Sequence, residues 1–151
     1  MSVEKPRSVT VRHVRWSRGA VLTVCVAPFL TACGGAQTLD AGDATVLVSE
    51  RRSDGMTALL QGRVEVFGDC LGIAGIDNIG SVVVVWPHDT QVERSDPVTV
   101  DIPEVGTVKV GDEVQIGGGF ITEAVGGPAS GPVGGVEIPV SCLDYKVWLA
   151  N

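Results

Sequence analysis

Chemically able side chains stand closest together in Trp86-Pro87-His88-Asp89-Thr90, directly after the apolar run Ser81 to Trp86. Proline fixes the backbone where a strand ends. An indole, an imidazole and a carboxylate presented together suit a sugar, a cation or a peptide. Trp86, His88 and Asp89 are therefore the candidate ligand-binding residues. The competing reading has Trp86 capping the core and His88 as a solvated turn residue. An enzyme in this chain, a small hydrolase or a metal-assisted one, would have to centre on His88 and nearby carboxylates, the alternative to a binding role. Nucleophilic catalysis needs an activated hydroxyl or thiol with a base and an oxyanion site. There is no G-x-S-x-G, and Ser130 in Pro-Ala-Ser-Gly-Pro lacks the strand-turn-helix setting of a nucleophile elbow. Gly126 and Gly131 begin the spacing of a phosphate loop, but Pro132 stands where its lysine belongs. Acidic neighbours such as Asp112-Glu113 arise by chance in an acidic chain, and glycosidase chemistry needs two carboxylates ~5 to 10 Å apart in a cleft. No catalytic residue, metal site or cofactor is predicted.

Cysteine supplies the remaining chemistry. Lys5, Arg7, Arg12, Arg15 and Arg18 precede fourteen uncharged residues, Gly19 to Ala32, in the order of a secretory signal. That stretch is shorter than the ~20 residues of a membrane-spanning helix. Pro28 within it and Gly34-Gly35 after it argue against a packed element. It ends in Leu30-Thr31-Ala32-Cys33, a branched apolar residue, two small residues and cysteine. This tetrapeptide resembles the lipobox of bacterial lipoproteins. The resemblance implies that the Cys33 thiol carries a diacylglycerol thioether, that residues 1–32 are a signal peptide cut before Cys33, and that the new amino terminus is acylated. Two acyl chains satisfy the two-signal requirement for stable anchoring. The expected location is the extracytoplasmic face of a cell membrane.

Removing the leader changes both the charge and the cysteine count. Residues 33–151 hold six Lys plus Arg against seventeen Asp plus Glu, a net charge of −11, whereas the whole chain carries −7. Nucleic-acid recognition normally starts from a basic face, so nucleic acid is excluded as an expected partner. Cys25 leaves with the leader and Cys33 is consumed by lipid, so Cys70 and Cys142 remain. Two thiols outside the membrane usually pair. A metal or redox site lacks C-x-x-C, and His88 is the one histidine beyond the leader.

The elements that must position these residues follow a period of two. Leu60, Gly62, Val64 and Val66 alternate with polar neighbours, and the pattern recurs in Val98 to Ile102, Val108 to Val110, Val114 to Ile116 and Val136 to Cys142. Ser81 to Trp86 is a continuous β-branched run, expected of a central strand covered on both faces or of a barrel stave. Helical periodicity is confined to one possible turn near Ser53 to Leu59. Turn signals fall at Ser53-Asp54-Gly55, Gly68-Asp69, Asp77-Asn78, Trp86-Pro87, Ser95-Asp96-Pro97, Pro103-Glu104, Gly111-Asp112 and Gly117 to Gly119. Val108 to Val114 is similar to the turn before a strand in biotinyl and lipoyl carriers, yet neither Lys109 nor Lys146 has a carrier's hairpin-tip setting, so the turn reads as architectural. Val125 to Gly135 reads as a long irregular loop.

The expected fold is all-β: a small antiparallel five- to six-stranded barrel, OB-like, or a compact sandwich. Five aromatic residues in the mature chain suit a small barrel core. The expected organisation is a signal peptide over 1–32, a flexible tether over 33–43 and the domain over 44–151. The chain resembles bacterial lipoproteins that carry a small OB-like domain. That implies a lipid-anchored binding or envelope-associated module without catalytic activity, whose partners are the membrane and an envelope protein or polymer. Protein docking on an exposed sheet edge or on the Val125 to Gly135 loop is a further possibility.

Overall fold

The structure, a computed structural model, describes residues 34–53, 55–75, 79–121 and 131–151. The lipobox with Cys33, the turn at Asp77-Asn78 and most of the Val125 to Gly135 loop lie outside the described residues. Among the described residues no helix is long and apolar enough to cross a membrane.

The described residues form ten strands in chain order: β1 (Gln37–Asp40), β2 (Thr45–Val48), β3 (Ala58–Phe67), β4 (Cys70–Gly75), β5 (Gly80–Trp86), β6 (Gln91–Ser95), β7 (Val98–Ile102), β8 (Gly106–Lys109), β9 (Glu113–Phe120) and β10 (Lys146–Ala150). The fold is all-β, as the alternation requires. β3 pairs antiparallel with β4 and with β9, β4 pairs with β5, and β9 pairs with β10. β10 then lies parallel to β5, which closes the ring. The expected antiparallel barrel thus has a parallel seam. β4 and β5 are paired only from Gly72 and Val83 to Gly75 and Gly80. Beyond that they splay, and β2 fills the gap, bridging Cys70 through Thr45 and running parallel to β5 at Leu47 and Val48. The ring is five strands at one end and six at the other.

Period-two alternation decides what faces inward. Leu60, Val64, Leu71, Ile73, Val82, Val84, Trp86, Val114, Ile116 and Trp148 share one buried cluster. The interior is plugged by the antiparallel meander β6-β7-β8, which contributes Val98, Val100, Ile102 and Val108 to that cluster. The opposite face of the seam is also covered: Leu47, Val83, Val85, Val147 and Leu149 pack under Val133, Val136 and Cys142. This double covering is why Ser81 to Trp86 reads as continuously apolar, and each such side chain contributes about 1.5–3 kcal/mol on burial.

The Sγ atoms of Cys70 and Cys142 are bonded, with Cα atoms 6.0 Å apart. The bond joins the start of β4 to a single turn of 3₁₀ helix, Val140–Cys142. A strand was expected over Val136 to Cys142. Pro139 cannot donate to a ladder, and the segment instead lies as a cover on the seam, with one isolated bridge between Val133 and Val136. Three further expectations are corrected. No helical turn forms over the described part of Ser53 to Leu59, where β3 already begins at Ala58. The triplet Gly117 to Gly119 is no turn but part of β9, because the neighbouring strand comes too close for side chains. A Cβ on Gly118, whose φ is +149°, would collide with the Leu149 carbonyl oxygen. The segment expected to be a tether over 33–43 holds β1, registered against β2 from Gln37 on Val48 to Asp40 on Thr45.

Candidate functional site

Three strands of the seam, β2, β5 and β10, are mutually parallel, so their carboxyl ends emerge on one side of the barrel. Leu47, Val85 and Leu149 form one rung across them. The Ser49 amide donates to the Trp86 carbonyl at 2.9 Å, extending the β2–β5 ladder one residue further. Beyond that point the three chains diverge around a cavity of about 420 Å³. Its walls come from Ser49 to Ser53 after β2, Pro87 to Asp89 after β5, Leu149 to Asn151 of β10 and its end, and Pro103-Glu104 between β7 and β8. Strand ends free the backbone from the ladder, which is why crevices of this kind collect polar side chains.

The turn after β5 is held by Thr90, whose hydroxyl donates to the Pro87 carbonyl at 2.8 Å. It places Asp89 in the left-handed region at φ 70°. Asp tolerates that conformation better than most residues. The second non-glycine residue there among the described residues is Glu104, at φ 65°, and it too lines the cavity. Strained backbone of this kind concentrates at binding and catalytic sites.

One carboxylate organises the polar wall. Asp89 Oδ2 accepts from Arg51 Nη2 at 3.0 Å, and Asp89 Oδ1 stands 3.1 Å from His88 Nε2. The Arg51 and Asp89 side chains are 71% and 62% exposed, so their pair contributes little to stability. The His88 side chain is only 12% exposed. Its Nδ1 is buried with no hydrogen-bond partner among the described residues. His88 is thus a semi-buried wall residue and not the solvated turn residue weighed from sequence.

No family model, curated protein or solved structure matches the chain. The site is therefore read from its own geometry.

Of the three sequence candidates, the structure brings His88 and Asp89 together on the cavity wall. Trp86 is fully buried in the core and is not part of the wall, and its Nε1 has no partner among the described residues. Its part is to hold the end of β5 against the barrel interior. Reasoning from sequence missed Arg51, Glu50 and Glu104. The available signal was the pair Arg51-Arg52, two of the six cations beyond the leader, three residues past an apolar strand.

The arrangement offers a guanidinium, a carboxylate and an imidazole in contact, above an apolar floor that includes Met56, Pro87 and Leu149. That set can bind a polar ligand with a small apolar part. Acyl transfer needs a hydroxyl in contact with the base. Among the described residues no hydrogen bond links His88 to a serine or threonine. No group of three or more His, Cys, Asp or Glu there is placed to hold a metal ion.

Proposed function

We propose that the chain is a lipid-anchored extracytoplasmic binding module, attached through Cys33, whose ligand site is the cavity at the carboxyl ends of β2, β5 and β10. The observation that carries the binding role is the convergence of three parallel strand ends on one cavity with Arg51, Asp89 and His88 in contact on its wall. Anchoring is supported by the cationic segment, the uncharged run and Leu30-Thr31-Ala32-Cys33 in that order. The bonded pair Cys70–Cys142 fits an oxidising compartment, where such bonds persist. The pairing order around the ring is also that of small OB-like barrels, whose loops commonly carry ligand sites. A hydrolase centred on His88 is favoured by one observation, the 3.1 Å His88–Asp89 contact, but the other imidazole nitrogen, Nδ1, is buried away from the cavity space.

Metabolic labelling with palmitate tests the anchor: the wild-type chain takes up label, and Cys33→Ala yields unlabelled, uncut precursor. A processed, labelled Cys33→Ala protein refutes it. Mild cross-linking of the lipidated protein in its membrane tests the pocket, the expected result being an adduct lost in His88→Ala/Asp89→Ala. An adduct unchanged in that variant moves the binding surface elsewhere.

A further inference from the structure

Gly34, one residue past Cys33, is already held by the fold. Its carbonyl accepts the Arg51 amide at 3.4 Å, and a Cβ built on it would stand 3.9 Å from His88 Cε1 and Nε2. Ala36 is equally engaged, since a Cβ on Gly135 would stand 3.0 Å from its Cβ. Gln37 then begins β1. Arg51 and His88 both line the cavity, so the amino end of the domain is fixed at the cavity's lip. Consecutive Cα atoms are about 3.8 Å apart across a trans peptide. Cys33 is joined to Gly34 by one peptide bond.

Resting on the reading of Cys33 as the lipidated residue, we infer that the domain stands on the membrane with the cavity end down, and that the lip contacts the phospholipid headgroup layer. Charge at this end is mixed, with Arg51 and Arg52 beside the carboxylates of Glu50, Asp89 and Glu104. Arg51 and Arg52 are consecutive, exposed and on this lip. Guanidinium groups match phosphate geometry, and one Arg51 nitrogen, Nη2, already donates to an oxyanion, Asp89 Oδ2. The far pole carries Ser81 and Lys146 at the starts of β5 and β10. Ser81 and Trp86 are about 17 Å apart along the strand at the usual rise per residue. A ligand of the cavity then reaches it from the headgroup layer and not from bulk solvent.

The test uses full-length lipidated protein in phosphatidylcholine vesicles containing phosphatidylglycerol and a lipid with a nitroxide on its headgroup. One fluorophore is attached at Ser53→Cys, on the lip, or at Ser81→Cys, on the far pole. Both positions are exposed. Strong quenching at position 53 with none at position 81 is expected. Equal quenching, or stronger quenching at position 81, overturns the orientation. Arg51→Glu/Arg52→Glu, still lipidated, should lose part of the quenching at position 53, and unchanged quenching overturns the headgroup contact. Intact mass of each sample separates the two readings: acyl mass with equal quenching refutes the orientation alone, and the lack of acyl mass refutes the anchor and the orientation together.

Discussion

Removing the Cys70–Cys142 bond tests the energetics of the barrel seam most directly. The bond spans 72 residues of sequence, so the loop it closes contains β4 to β9, and it ties the start of β4 to the turn before β10. In the chain-entropy treatment a loop of that length stabilises the fold by about 4 kcal/mol. Small domains have total stabilities of about 5–15 kcal/mol, so the loss is a large share of the whole. With a urea m-value of about 2 kcal/mol/M for a domain of this size, the unfolding midpoint should fall by about 2 M. The assay is urea titration followed by intrinsic fluorescence, because Trp86 and Trp148 are both buried and become exposed on unfolding. Two samples separate cross-linking from packing. Reduced wild-type protein loses only the cross-link, whereas Cys70→Ala/Cys142→Ala also loses two sulfur atoms from a fully buried site. Both should shift by nearly the same amount, and both should show a larger m-value because the unfolded chain is freed to expand. A midpoint that moves by less than about 0.3 M on reduction, equivalent to less than about 0.6 kcal/mol at that m-value, refutes the argument. A shift confined to the alanine variant assigns the effect to packing instead.

Gly62→Ala should lower Tm by roughly 4 to 12 °C in calorimetry, equivalent to about 1–3 kcal/mol of overpacking, because a Cβ there would collide with the Ala74 carbonyl oxygen of the paired strand. Asp89→Gly should leave stability within about 1 kcal/mol of wild type, since it removes left-handed strain together with an exposed ion pair. Asp89→Val at the same site should cost about 1–2 kcal/mol through backbone strain, and equal denaturation midpoints for the two variants would contradict the φ assignment.

The strands that a reader of the sequence can find are those with a wet face. β3, β7 and β9 alternate because one side meets the core and the other meets solvent. β2 and β10 escape notice because they are short and buried on both faces, leaving Thr-Val-Leu-Val and Lys-Val-Trp-Leu-Ala without a periodic signature. β1 is hidden by composition, since Gln-Thr-Leu-Asp beside a glycine-rich stretch looks like linker until β2 is seen to pair with it. The Val136 to Cys142 pattern misleads in the opposite sense: it alternates in sequence, yet the segment is a cover lying on the sheet, with Val136, Ile138 and Cys142 packed against it and Val140 exposed. For the site, His88 and Asp89 are adjacent in sequence and easily noticed, whereas Arg51 lies 38 residues away and meets Asp89 only through the parallel β2–β5 contact. A parallel pairing between distant strands leaves no local trace, so the cavity could not be assembled from the sequence.

That same parallel seam sets the order in which the domain can come into being. β10 supplies the pairings to both β5 and β9, so the ring stays open until residues 146–150 are available. A chain that becomes available amino end first therefore holds β2 to β9 before the strand that closes their ring. Its late, long-range closure is the slow kind of folding step. The disulfide, whose second cysteine lies four residues before β10, locks the ring only once its final strand is at hand.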